Sequence, residues 1–306
     1  MHRRTWIAMG CLAALWGASY LFIKIALGDL SAGWIVFART ALGAAVLLPI
    51  AARGGSLPLL RGRLRAMVVL ALLEIVGPFL LITFGEERIA SSLAGILVSS
   101  APIFTALLAV WVDHEERSHG WALVGVVAGI VGVALLFGVD LAGSSGALLG
   151  GVMVLVASLG YALGALWLKH RLGALPPALS AGASLGISAV LVLPLALATL
   201  PAHAPGAGAV GALLVLGIAG TGIAFLLFYW MIGDVGPARA SIVAYIAPGF
   251  AVIYGVSLRG EAFGAGTGAG LVLILAGSWL AAEGRLPWVS RSAPSRSSVP
   301  APARAR

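Results

Sequence analysis

Polar side chains along this chain fall at intervals that match a bilayer. Apolar segments of about twenty residues alternate with short breaks holding Gly, Pro and the charged residues. The stretch SSLAGILVSSAPIFTALLAV (91–110) has no charged side chain, and neither has SIVAYIAPGFAVIYGVSL (241–258). A hydrocarbon core of about 30 Å takes roughly 20 helical residues. The pattern predicts ten spans, near 6–27, 32–50, 66–84, 90–112, 120–138, 146–168, 178–199, 209–230, 238–257 and 264–282. PAHAPGAG (201–208) reads as a Pro/Gly-rich turn. The stretch 285–306, rich in Ser, Pro, Ala and Arg, reads as a disordered cytoplasmic tail.

Composition agrees with a chain solvated by lipid. Of 306 residues, 60% are hydrophobic and only 10% are charged, whereas soluble domains run near one quarter charged. Such a chain has too little polar surface to face water on all sides. The first apolar segment is long and more spans follow, so it reads as an anchor rather than a cleaved signal. The lone Cys11 gives no intrachain disulfide and no metal cluster.

The net charge of +8 matters less than its location. With the N-terminus in the cytoplasm, the inner segments hold Arg3, Arg4, Arg53, Arg61, Arg63, Arg65, Arg117, Lys169, Arg171, Arg239 and the arginines of the tail. The outer loops hold only Arg88 and Arg259. This bias puts both termini in the cytoplasm. The basic RGRLR (61–65) then meets anionic lipid headgroups, not nucleic acid.

An internal repeat divides the chain. Pro102 matches Pro248 and Glu115 matches Glu261 at an offset of 146. Lys24 matches Lys169, Trp16 matches Tyr161, Pro49 matches Pro194 and Gly132 matches Gly277 at an offset of 145. The repeats are expected at 1–140 and 141–284, five spans each. An odd span count makes the second repeat enter the membrane from the other side. The fold class is therefore an all-α polytopic membrane protein of ten transmembrane helices in two inverted five-helix repeats. Inverted repeats with interrupted helices suit alternating access around a midplane site.

The pattern resembles the drug/metabolite transporter superfamily, in its ten-span EamA-domain family. The residues that carry the resemblance are WGASYLFIKIAL (16–27), Arg39, SSLAGILVSSAPIFTALLA (91–109), HEE (114–116), GPARASIVAYIAPGFAVI (236–253), GE (260–261) and GLVLILAGSWL (270–280). The chain departs from it at Glu74, at Ser184 where the second repeat has no match for Arg39, and in the acidic turns GEER (85–88) and DHEER (113–117). The resemblance implies a bacterial inner-membrane carrier that exports amino acids, other metabolites or toxic compounds, in some members with a proton.

Several residues stand out against the apolar background. Pro102 and Pro248 lack an amide hydrogen and crowd the carbonyl four residues before them. They are candidate kinks or hinges, with ordinary kinked packing as the alternative. Ser99 and Ser100 are placed to satisfy local carbonyls. Glu74 lies in VLALLEIVGPFLL, about 12 Å into span three by helical rise. A buried acid near midplane is neutral, paired or functional, so proton coupling and a static salt bridge with Arg39 both stand as readings. If Arg39 contacts substrate, its planar fork implies a carboxylate or other anion. Trp16, Tyr20 and Lys24 share a helix face by their spacing of four, and Tyr161 and Tyr245 are the second-repeat candidates for the same cavity. For Lys24 the alternative is snorkelling toward a span end. Tyr229 and Trp230 fit an interfacial belt. Gly125, Gly129 and Gly132, with Gly264 to Gly270, suit close helix packing, within a monomer by default or across a homodimer.

No phosphate-binding loop with Lys-Ser/Thr is present, and the GxGxxG-like spacing from Gly264 lies in an apolar span. His114 and His119 offer at most a weak metal contact. No catalysis, cofactor or metal is expected. The expected partners are a small-molecule substrate, membrane lipids and a proton. A channel, a receptor and a membrane-embedded enzyme handling lipids remain the other function classes.

Overall fold

The computed structural model describes residues 2–112 and 121–283. The tail 285–306 and the turn holding His114, Glu115 and His119 lie outside the described residues. The described chain is helical and makes ten successive passes. They are α1 (Arg3–Ala26), α2 (Ala32–Arg53), α3 (Leu64–Glu86), a broken α4 made of α4a (Ser91–Val98) and α4b (Ala101–Val112), α5 (Trp121–Leu141), α6 (Ser145–Leu172), α7 (Pro177–Ala198), α8 (Ala207–Val235), α9 (Val243–Arg259) and α10 (Ala265–Glu283). Among the described residues nine are long and apolar enough to cross a membrane. The exception is α9, whose 17 residues follow a separate turn at Pro237–Ala240. Ten passes put residues 2 and 283 on one face, here the terminal face. The other is the loop face.

The two five-helix repeats embrace each other. In helix packing α1 meets α9, and its counterpart α6 meets α4. Likewise α3 packs on α6 and α8 on α1, while α2 pairs with α7 and α5 with α10. Each contact has a partner with the repeats exchanged, as inversion about an axis in the membrane plane requires. At Gly125 and Gly277 the α5–α10 seam is backbone on backbone, and toward the loop face Leu136, Leu273 and Ile274 fill the gaps at Gly270 and Gly132. A Cβ at Gly125 would stand 2.5 Å from the Ala281 nitrogen, and one at Gly277 would stand 2.6 Å from the Gly125 carbonyl. The glycine stripes of these two spans thus pack within one chain, where small residues let helices approach closely.

The two proline-bearing helices differ. In α4 the helix opens at Ser99–Ser100. Ser99 and Ser100 hydroxyls donate to the Ile96 and Leu97 carbonyls at 2.5 and 2.7 Å, competing with the helical ladder. Pro102 then sits in the first turn of α4b, where no intrahelical donor is needed. The second repeat has Tyr245 and Ile246 at the matching positions, and neither has a short hydroxyl. There Pro248 stays inside a continuous α9, and the interruption falls earlier, between Ala240 and Val243.

Candidate functional site

A cavity of about 1000 Å³ lies between the repeats. Trp16 and Tyr20 of α1, Arg39 of α2, Glu74 and Phe79 of α3, Tyr161 of α6 and Tyr245 of α9 all line it, with Pro102 and Pro248 on its wall. The lining reaches Ala122, Ser241 and Ala282, which lie near helix ends at the terminal face. Toward the loop face it stops below Ile23 and Ile82.

Glu74 owes its place to a local irregularity. Residues Ala71–Val76 form a π-helical turn inside α3, which widens the helix by one residue and re-aims its side chains. Gly164 of α6 accommodates it, since a Cβ there would stand 2.8 Å from the Glu74 Cβ. Glu74 is half-buried. The counterpart helix α8 carries a similar turn, Val215–Ile223, at the matching depth.

That second turn supplies the partner of Arg39. The Arg39 Nε donates to the Thr221 hydroxyl at 2.9 Å, and its guanidinium lies 3.8 Å from the Phe79 ring centre. Arg39 is 9% exposed. No carboxylate lies within ion-pair distance of it among the described residues. Arg39 and Glu74 therefore share one cavity without bonding to each other, and Tyr161 lies within electrostatic reach of both. The static salt bridge between them is not formed. Aromatic rings fill the second-repeat side. Trp16 stands 5.2 Å from Phe228 and 6.4 Å from Phe225, and Tyr245 stands 5.6 Å from Trp279.

Lys24 stands apart from the cavity. Its ammonium donates to the backbone carbonyls of Glu86 and Ile89, the second at 2.9 Å. These are carbonyls at the C-terminal end of α3, where a cation is favoured. The spacing that groups Lys24 with Trp16 and Tyr20 holds for the helix face, but the Lys side chain reaches past the cavity to the loop face.

Polar contacts between the repeats stitch the loop face shut. Asp29 accepts from the Gly206 amide at 2.9 Å, and the Ser31 and Thr199 hydroxyls meet at 2.9 Å. Glu261 caps α4a from the opposite repeat, accepting from the Ser91 amide and hydroxyl at 2.9 and 2.7 Å and from the Ser92 amide at 2.9 Å. Burial pushes this carboxyl up, but the donors on Ser92 and Ser91 outweigh it and hold the group below its ordinary value. Deeper in, the open turn of α4 is satisfied by the second repeat. Ser278 donates to the Ser99 carbonyl at 2.7 Å and Ser158 to the Leu97 carbonyl at 3.2 Å.

Sequence reasoning did not single out Thr221, Phe79, Ser158 or Ser278, whose roles arise only from tertiary contact. It treated Glu86 as part of an acidic turn, yet Glu86 is fully buried while Glu87 beside it is exposed. A signal was present. Ile75, Phe79, Ile82 and Glu86 fall at helical spacing on one stripe, and the first three line the cavity.

Comparison with known proteins gives consistent results. The model of the EamA-like transporter family matches residues 4–138 and again 148–282. The chain is 30% identical to YedA of Escherichia coli K12, described as an uncharacterized inner membrane transporter, over 83% of this chain and 82% of that one. It is 23% identical to YoaV of Bacillus subtilis, described as an uncharacterized transporter, over 79% of this chain and 84% of that one. A crystal structure of a protein 19% identical superposes with a TM-score of 0.66, covering 92% of this chain and 98% of its own, and shows the same fold.

Proposed function

Because the chain belongs to the EamA-like transporter family, we propose that it is a secondary carrier that exports a small amphipathic metabolite, amino-acid-like or drug-like, by alternating access. It sits in the cytoplasmic membrane with both termini in the cytoplasm, the side that the arginine bias favours. The observation that carries this reading is the pair Arg39 and Glu74, both on one cavity and bonded to no opposite charge among the described residues. A buried guanidinium without a carboxylate is costly unless a ligand anion visits it. Glu74 offers a complementary site for an ammonium or a proton. The aromatic walls suit an apolar body between the two. The loop face is closed while the lining extends to the terminal face, which favours a carrier over an open channel.

The test is counterflow in reconstituted vesicles, with amino acids, nucleosides and cationic drugs competing against a labelled substrate pool. Saturable counterflow accelerated by substrate on the opposite side is the expected result. Conductance without counterflow would identify a channel, and product formation without translocation an enzyme. For coupling, Glu74→Gln should abolish the response to a pH gradient and spare counterflow. An unchanged gradient response in correctly inserted protein would remove Glu74 from coupling.

A further inference from the structure

Glu86, the last residue of α3, is buried completely, and both of its carboxyl oxygens lack a hydrogen-bond partner among the described residues. Lys24 lies beside it but directs its ammonium at the backbone carbonyls of Glu86 and Ile89. The charged and titratable groups that act on Glu86 come from several elements: Lys24 and Tyr20 of α1, Arg39 of α2, and Glu261 from the loop between α9 and α10. From α6, Gly150 and Val154 close against Gly85, and α4a contains no ionisable residue. On α3 itself, Glu74 lies three turns away, and just past its end Glu87 pairs outward with Arg88 at 3.1 Å.

An ionised carboxylate in this position lacks donors, sits at the negative end of a helix and has Glu261 nearby. Lys24 offsets part of that cost, but the hydrogen bonds it donates go to backbone carbonyls and not to the carboxyl oxygens. The closed arrangement therefore suits the neutral acid. Parting Ser91 and Ser92 from Glu261 would admit water to this end of α3, where a carboxylate is well solvated.

We propose that Glu86 is a proton site of the loop-face gate, which takes up a proton when that face closes and gives it to water when the face opens. The site is separate from Glu74, and the inference rests on the alternating-access reading above. The proton leaves the carboxyl O–H for water at the loop face, and no other bond changes. Opening is then favoured as pH rises, because the open state holds one proton fewer. Glu261 does not supply this response at neutral pH, since its serine donors keep it ionised there.

The experiment uses the full chain in nanodiscs with Cys11→Ser, and spin labels at Arg88→Cys and Ala262→Cys, two exposed positions flanking the Glu261 contact. Distances are measured by pulsed electron resonance between about pH 6 and pH 9. In this parent the ratio of long-distance to short-distance populations should rise by up to about tenfold per pH unit through its midrange. Glu86→Gln should stay at the short distance throughout, Glu86→Asp should titrate, and Glu87→Gln, at the exposed neighbour, should titrate like the parent. A Glu86→Gln protein that titrates like the parent overturns the proposal and leaves alternating access standing. Absence of a long distance at any pH in every variant overturns both.

Discussion

The two repeats share a backbone plan and divide the chemistry unequally. The first supplies the charges of the cavity, Arg39 on α2 and Glu74 on the π-helical turn of α3. At the matching positions the second has Ser184 and, one residue either way, Ala219 and Gly220. Its own π-helical turn presents Thr221 to Arg39, and its remaining contribution is aromatic and hydroxylic: Phe225, Phe228, Tyr245, Ser158 and Ser278. Inversion by itself produces two equal ends. The difference shows how one site can be built from such a pair: one repeat carries the charge, and the other holds that charge in place and satisfies the first repeat's broken backbone.

The largest effect should come from crossing that division at α2. Arg39→Ala should lower counterflow by at least about 30-fold, the scale of losing one partner of a buried charge contact, whereas Ser184→Ala should leave it unchanged. Equal losses at both positions would show that the repeats share substrate binding evenly. Next is the seam the repeats hold in common. Gly277→Ala places a methyl against the Gly125 backbone and should destabilise the protein by about 1–3 kcal/mol in thermal unfolding in detergent. Gly138→Ala, with open space around it, should be neutral.

Ser278→Ala tests the support that the second repeat gives to α4. The Ser99 carbonyl loses its donor, at a cost of about 1–2 kcal/mol, and amide exchange around 97–100 should quicken. Unchanged exchange would mean that the first repeat maintains its own break. The smallest effect concerns Glu261, whose carboxyl lies below its ordinary value in the folded chain. Its contribution is present above the unfolded value, near pH 4, and fades as pH falls through the lower folded value. Loop-face labels should therefore show no change from this group at neutral pH and loosening only in acid. Glu261→Gln should show the looser state already at neutral pH.

Most of the architecture can be read from the residues. Helices that must satisfy their own backbone in lipid leave apolar stretches of a fixed length, so the spans are visible, and paired residues such as Pro102 and Pro248 expose the repeat. The same pairing misleads at finer scale, because a break in a helix depends on neighbours such as Ser99 and Ser100 as well as on the proline. In the cavity, depth alone brings Arg39 and Glu74 to one level. Their partners cannot be found that way, since Thr221 lies 182 positions from Arg39. Helix face groups Lys24 with Trp16 and Tyr20, but a long side chain is placed by the carbonyls it can reach. Within GEER, the helical stripe of Ile75, Phe79 and Ile82 leads to Glu86 and not to Glu87. How completely the first is buried, with the second left in solvent, emerges only from packing.

The bare crossing of α5 and α10 at Gly125 and Gly277 has a mechanical consequence. Interlocked side chains act as teeth, which must disengage before two helices can roll over each other. Where Gly125 meets Gly277 there are no teeth, so a change of tilt there breaks no side-chain lock. The seam can serve as a fulcrum, with the larger displacements falling at the distant ends of the lever where the hydrogen-bonded clasps lie.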